Sequence, residues 1–117
     1  MRTSRLGDDD TFVIAVDGEL DMYTVEPLRE RLADVLEGGA RRVFLDLMGV
    51  TFIDSVTLAM LIDCAKALRA SGGRLVLVAE DPRVTRTLEI TGLDHFFDVE
   101  PSLPEAVREL IERRPDA

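Results

Sequence analysis

The chain has no tryptophan, one cysteine and one histidine, and aromatic residues make up only 5% of it. Each shortage removes a class of chemistry. A single thiol, Cys64, permits no internal disulfide and suits a reducing compartment. One histidine, His95, and one cysteine cannot supply a ligand set at zinc-like spacing. A Ser–His–Asp device would have to use His95, and no Gly-x-Ser-x-Gly turn accompanies it. The glycine pairs at 38–39 and 72–73 follow predicted helices rather than strands, so they read as helix stops and not as phosphate-binding loops. Asp46, Asp54 and Asp63 fall on a strand, a loop and a helix, which gives no paired carboxylates for acid–base work. No cofactor and no metal are expected.

Basic residues are also in short supply. Lysine and arginine number 14 against 23 acidic residues, for a formal charge of -9. That speaks against nucleic acid or an anionic membrane as partner, since both call for a basic footprint. It suits a protein that meets a basic patch on another protein. No apolar run approaches membrane-spanning length and the N-terminus shows no signal-peptide core, so the expectation is a cytoplasmic protein.

What is present is aliphatic. Hydrophobic residues make up 46% of 117 residues, enough for one domain with a core of Leu, Val, Ile and Ala. Residues 1–10, with the acidic run Asp8-Asp9-Asp10, read as an edge strand or a mobile arm. Thr11–Val16 reads as a strand by its β-branched and aromatic content, and Gly18–Asp21 as the loop that ends it. Thr24 is placed to cap a helix whose inward face is Leu28, Leu32, Val35 and Leu36. Pro27 fits its first turn and Gly38-Gly39 its end. Val43–Leu47 is a mostly apolar strand, as one covered on both faces should be, and Val50–Ile53 extends it to Asp54. A second helix turns Leu58, Leu61, Ile62, Ala65 and Leu68 inward and closes at Ser71-Gly72-Gly73. Leu75–Ala79 is a further strand. Pro82 opens a third helix with Val84 and Leu88 inward, stopped at Thr91-Gly92. Phe96–Val99 reads as a short strand. Ser102 is placed to cap a last helix carrying Leu103, Ala106, Val107, Leu110 and Ile111 on one face, with Arg113-Arg114 near its C-terminus. Strands and helices therefore alternate, which argues for an α/β fold built on a mainly parallel central sheet of four to five strands with about four helices.

One segment stands out. Phe52-Ile53-Asp54-Ser55-Val56-Thr57-Leu58-Ala59 is a strand-to-helix junction, the place where open α/β sheets usually carry function. Two readings fit it. Asp54 or Ser55 caps the helix, which by itself explains both residues. Alternatively, Ser55 is an exposed hydroxyl that accepts a phosphate. The helix N-terminus would tolerate the new charge while the Asp54 carboxylate and any partner packed over it would not.

Asp17-Gly18-Glu19-Leu20-Asp21 after the first strand, Phe52-Ile53-Asp54-Ser55 before a helix, and the element order together resemble the STAS domain family. Within it, the resemblance is to the bacterial anti-sigma factor antagonists. It runs from about Thr11 through the last helix, so that 11–117 would form the STAS domain and 1–10 a separate arm or edge strand, and it includes Thr91-Gly92-Leu93. It implies that Ser55 is the phosphorylation site, with Thr57 as a second candidate. It also implies that the unphosphorylated form binds a kinase-type anti-sigma factor and frees a sigma factor. That kinase then phosphorylates Ser55 with its own ATP, and a PP2C-type phosphatase reverses the step. Glu19, Asp21, Asp54, Ser55, Val56, Thr57 and Leu58 are the implied partner contacts, on a monomer that forms heteromeric complexes and is not itself an enzyme. The family commonly reads Asp-Ser-[Ser/Thr]-Gly-Leu-Gly, whereas this chain reads Asp-Ser-Val-Thr-Leu-Ala. Val56 replaces a hydroxyl residue, and Thr57 and Ala59 replace glycines. A STAS adaptor subunit of a lipid-transport or signalling complex, with Asp54-Ser55 as a cap only, is the alternative. A small flavodoxin-like enzyme lacks both a phosphate loop and a catalytic set.

Overall fold

A computed structural model describes residues 1–6 and 10–112, the side chains of Ala106 and Leu110 excepted. The elements are β1 (Arg2–Leu6), β2 (Thr11–Leu20), α1 (Glu26–Glu37), β3 (Arg42–Ile53), α2 (Ser55–Ala70), β4 (Arg74–Val78), α3 (Pro82–Ile90), β5 (Asp98–Glu100) and α4 (Glu105–Glu112). They build one five-stranded sheet in the order β1-β2-β3-β4-β5. β1 runs antiparallel to β2, and β2 to β5 are mutually parallel.

Because parallel strands follow one another across the sheet, each crossover helix returns on the same side. The packing shows this. Leu28, Leu32 and Val35 of α1, Leu58, Leu61, Ala65 and Leu68 of α2, and Val84 and Leu88 of α3 share one core with Ile14, Val43, Leu45, Leu75 and Leu77 of the strands. The opposite face carries a smaller cluster, Leu6, Val13, Phe44, Val76 and Val78, covered by Leu103, Val107 and Ile111. The central strands are apolar on both faces because helices cover both.

Several local expectations are corrected. Gly18–Leu20 is not a loop: β2 stays paired with β3 as far as Leu20↔Ile53, by way of two register shifts, and Gly18 takes the left-handed conformation (φ +83°) between them. Thr24 does not cap α1. The cap position is Val25, with no side-chain bond, and the Thr24 hydroxyl instead donates to the Glu19 carbonyl at 2.6 Å. Phe96 and Phe97 lie in a turn rather than a strand. Phe97 plugs the larger core and meets Phe96 edge to face at 5.0 Å, so the strand is only Asp98–Glu100. Ser102 does not cap α4, which begins three residues later, after Pro104. Arg113-Arg114 and Asp8-Asp9 lie outside the described residues.

The start of β4 passes very close to the start of β3. A Cβ on Gly73 would stand 2.2 Å from the Arg41 carbonyl oxygen, whereas one on Gly38, at the end of α1, would make only ordinary contacts at 3.4 Å. Gly73→Ala is therefore expected to cost about 1–3 kcal/mol of stability through forced backbone displacement, and Gly38→Ala to stay within about 0.5 kcal/mol of wild type. Urea unfolding of both variants checks the contrast.

Candidate functional site

The carboxyl ends of β2 and β3 lie side by side, and α2 starts where β3 stops. The Asp54 N–H donates to the Leu20 carbonyl (3.1 Å), which extends the strand pairing by one residue and fixes where the helix begins. Asp54 then takes an extended conformation, as a helix cap should. Its carboxylate works in two directions. Oδ1 accepts from the Thr57 N–H at 2.8 Å and closes the first turn of α2, and Oδ2 accepts from the Met22 N–H at 2.9 Å in the loop between β2 and α1.

That loop is held by a second carboxylate. Asp21 Oδ1 accepts from the N–H groups of Tyr23 and Thr24, each at 2.9 Å, and the Asp21 N–H donates to Thr24 Oγ1 at 3.0 Å. Asp21 and Asp54, widely separated in the sequence, thus fix adjacent stretches of one small platform. Partial burial pushes the Asp54 carboxyl pKa up. The amide and hydroxyl of Thr57 and the amide of Met22 outweigh that and leave it below its ordinary value.

The expected site residues sort into two groups. Glu19, Ser55 and Val56 are exposed, and Asp21 and Asp54 are half-buried on the same surface. Thr57 and Leu58 are buried, Thr57 completely, with its Oγ1 in no well-formed hydrogen bond. Thr57, the second candidate acceptor, thus presents no surface in this conformation, and its hydroxyl lies beside the Asp54 carboxylate. Leu58 lies beneath the same surface and packs in the larger core. Sequence reasoning missed Met22 and Tyr23, exposed by 59% and 84%, and Phe52, which flanks Glu19 across the β2–β3 pairing. The available signal was two large apolar residues in a polar turn that no helix or strand periodicity could bury.

Chemically, the arrangement offers an exposed hydroxyl on the first residue of a sixteen-residue helix, where unpaired backbone N–H groups favour negative charge. Among the described residues no hydrogen bond joins Ser55 to a base, and no group of three or more His, Cys, Asp or Glu could hold a metal ion. Cys64 is buried, which pushes its thiol up to about 11, and His95 is an exposed turn residue. No described helix is long and apolar enough to cross a membrane.

Residues 4–106 match the STAS domain model. The anti-sigma-B factor antagonist of Staphylococcus aureus is 34% identical over 91 residues, which cover 78% of this chain and 84% of that protein. The chain belongs to the STAS domain family. Its structure is similar to the crystal structure of an anti-sigma factor antagonist from Mycobacterium paratuberculosis, with a TM-score of 0.76 at 28% identity over 94% of this chain and 95% of the other. The fold is also shared with the anti-sigma factor antagonist SpoIIAA in its unphosphorylated form, with a TM-score of 0.70 at 20% identity over 97% of this chain and 98% of that one.

Removing the Asp54 carboxylate strips both the cap and the anchor on the loop. Asp54→Ala is expected to lower stability by about 0.5–2 kcal/mol near neutral pH. Since the folded pKa lies below the ordinary 3.8, the ionised carboxylate stabilises fully above that value, and its contribution fades as pH falls through the folded pKa. The gap between wild type and Asp54→Ala, measured by urea unfolding across pH, should therefore narrow in strong acid. A gap that kept its full size there would show that the charge of Asp54 is not what holds the platform.

Proposed function

We propose that this chain is an anti-sigma factor antagonist: unphosphorylated, it binds a kinase-type anti-sigma factor and so frees a sigma factor, and phosphorylation at Ser55 switches it off. The observation that carries the proposal is the setting of Ser55. It is an exposed hydroxyl at the start of α2, on a surface held in place by Asp54 and Asp21. The names of the similar proteins point to the same activity.

The switch follows from charge. The γ-phosphoryl group of ATP on the anti-sigma factor passes to Ser55 Oγ, the hydroxyl proton is lost, and ADP leaves. The product carries about −1.5 to −2 charge at neutral pH. The N-terminus of α2 accepts that charge without unfolding. A partner seated over Asp54 and Ser55 meets added bulk and a dianion beside a carboxylate, and its affinity falls. A PP2C-type phosphatase restores the hydroxyl. The antagonist acts as substrate and ligand in the cytoplasm, as a monomer between its complexes, and contributes no catalytic group.

Intact-mass analysis after incubation with ATP and the anti-sigma kinase of the same organism tests this. One added phosphate is expected on wild type and none on Ser55→Ala. Ser55→Asp should lose kinase binding while its melting temperature barely moves. If wild type takes up no phosphate, or Ser55→Asp binds like wild type, the switch is lost. The capping role of Asp54 would then favour a STAS adaptor subunit of a larger assembly.

A further inference from the structure

Taking as its basis the reading that Ser55 faces an anti-sigma factor, we infer that Tyr23 and Met22 are the apolar anchor of that contact, received in an apolar pocket of the partner bordered by Arg or Lys. Among the described residues seven large apolar side chains are exposed, and four of them, Met22, Tyr23, Phe52 and Val56, lie within two residues of Asp21 or Asp54. Scattered exposed apolar residues need no explanation, but a concentration beside one site does.

Tyr23 has no evident structural duty. It makes no ring contact and no side-chain hydrogen bond with other described residues, and it is 84% exposed. Yet its backbone is not loose. The Tyr23 N–H is bonded to Asp21 and the Met22 N–H to Asp54, both at 2.9 Å. A large aromatic side chain held out on a fixed backbone loses little freedom on binding, and tyrosine is a typical interface anchor for that reason.

The charge of the two segments that meet at Asp54 points to the occupant. No Lys or Arg lies between Arg5 and Arg29, nor between Arg42 and Lys66, while the same stretches hold Asp17, Glu19, Asp21, Asp46 and Asp54. A matching surface therefore needs an apolar centre and a basic rim. A second copy of this chain is disfavoured, because a two-fold contact through this patch would set like charges face to face.

Titration calorimetry of wild type, Tyr23→Ala, Met22→Ser and Ile90→Ala against the purified kinase-type anti-sigma factor of the same organism decides the matter. Ile90 serves as control, being 85% exposed at the far end of α3. Tyr23→Ala should weaken binding at least about tenfold, Met22→Ser less, and Ile90→Ala not at all, with melting temperatures unchanged. Wild-type affinity should fall with added salt. Tyr23→Ala binding as tightly as wild type would overturn the anchor while leaving the proposed function standing. Wild type that ignores the anti-sigma factor but self-associates through Tyr23 in sedimentation would replace the partner with a second copy. Wild type that binds neither overturns the proposed function, and the anchor falls with it.

Discussion

The carboxyl end of this sheet depends on β2 and β3 staying paired to their last residues. The pairing runs to Leu20↔Ile53, and the next bond, from the Asp54 N–H to the Leu20 carbonyl, already belongs to the cap of α2. The last rung of a ladder thereby sets the start of a helix. If the register slipped by one residue, Asp54 would keep its cap on Thr57 but lose its hold on Met22, which comes from the β2 side of the pairing. At each of the two irregularities β3 carries one extra residue opposite β2, and Gly18, in a left-handed conformation between them, lets β2 follow the bulged strand without giving up the pairing.

Much of this was legible in the sequence because it rests on periodicity and local chemistry. The faces of α1 and α3, the glycine stops and the strand-to-helix junction at Asp54-Ser55 follow from apolar spacing and cap preferences. Other features depend on contacts that a linear reading does not contain. Gly18–Leu20 has the composition of a turn, and only the neighbouring β3 holds it as strand. Thr24 has the chemistry of a cap, but its hydroxyl is engaged by the Glu19 carbonyl and the Asp21 N–H instead. Thr57 reads as a surface residue because it is polar. In the structure it shares a buried stripe with Leu61, Cys64 and Leu68, at helical intervals of four, three and four. The aromatic content of Phe96-Phe97 suggests a strand, whereas the pair packs as a plug on the core.

Under the proposed switch, the same geometry would let a small domain report a change in charge without changing shape. Ser55 is exposed while its neighbours on α2, Thr57 and Leu58, are buried, so a group added to Ser55 projects outward and leaves the packing beneath intact. The Asp54 oxygens are already committed to backbone amides, which keeps the cap occupied in either state. Information would then reside in the surface potential and its bulk, a readout that suits partners competing for one patch.

β1 covers β2 only along Thr11–Ala15, so the last five residues of β2 form an open edge beside the site. An open, flat edge invites another chain to add a strand and cover whatever lies next to it. Here the uncovered stretch lies opposite the two extra residues of β3, carries Asp17 and Glu19, and has its Glu19 carbonyl already taken by the Thr24 hydroxyl. The bulged pairing that brings β2 and β3 together to Asp54 thus leaves a poor template for strand addition beside the site.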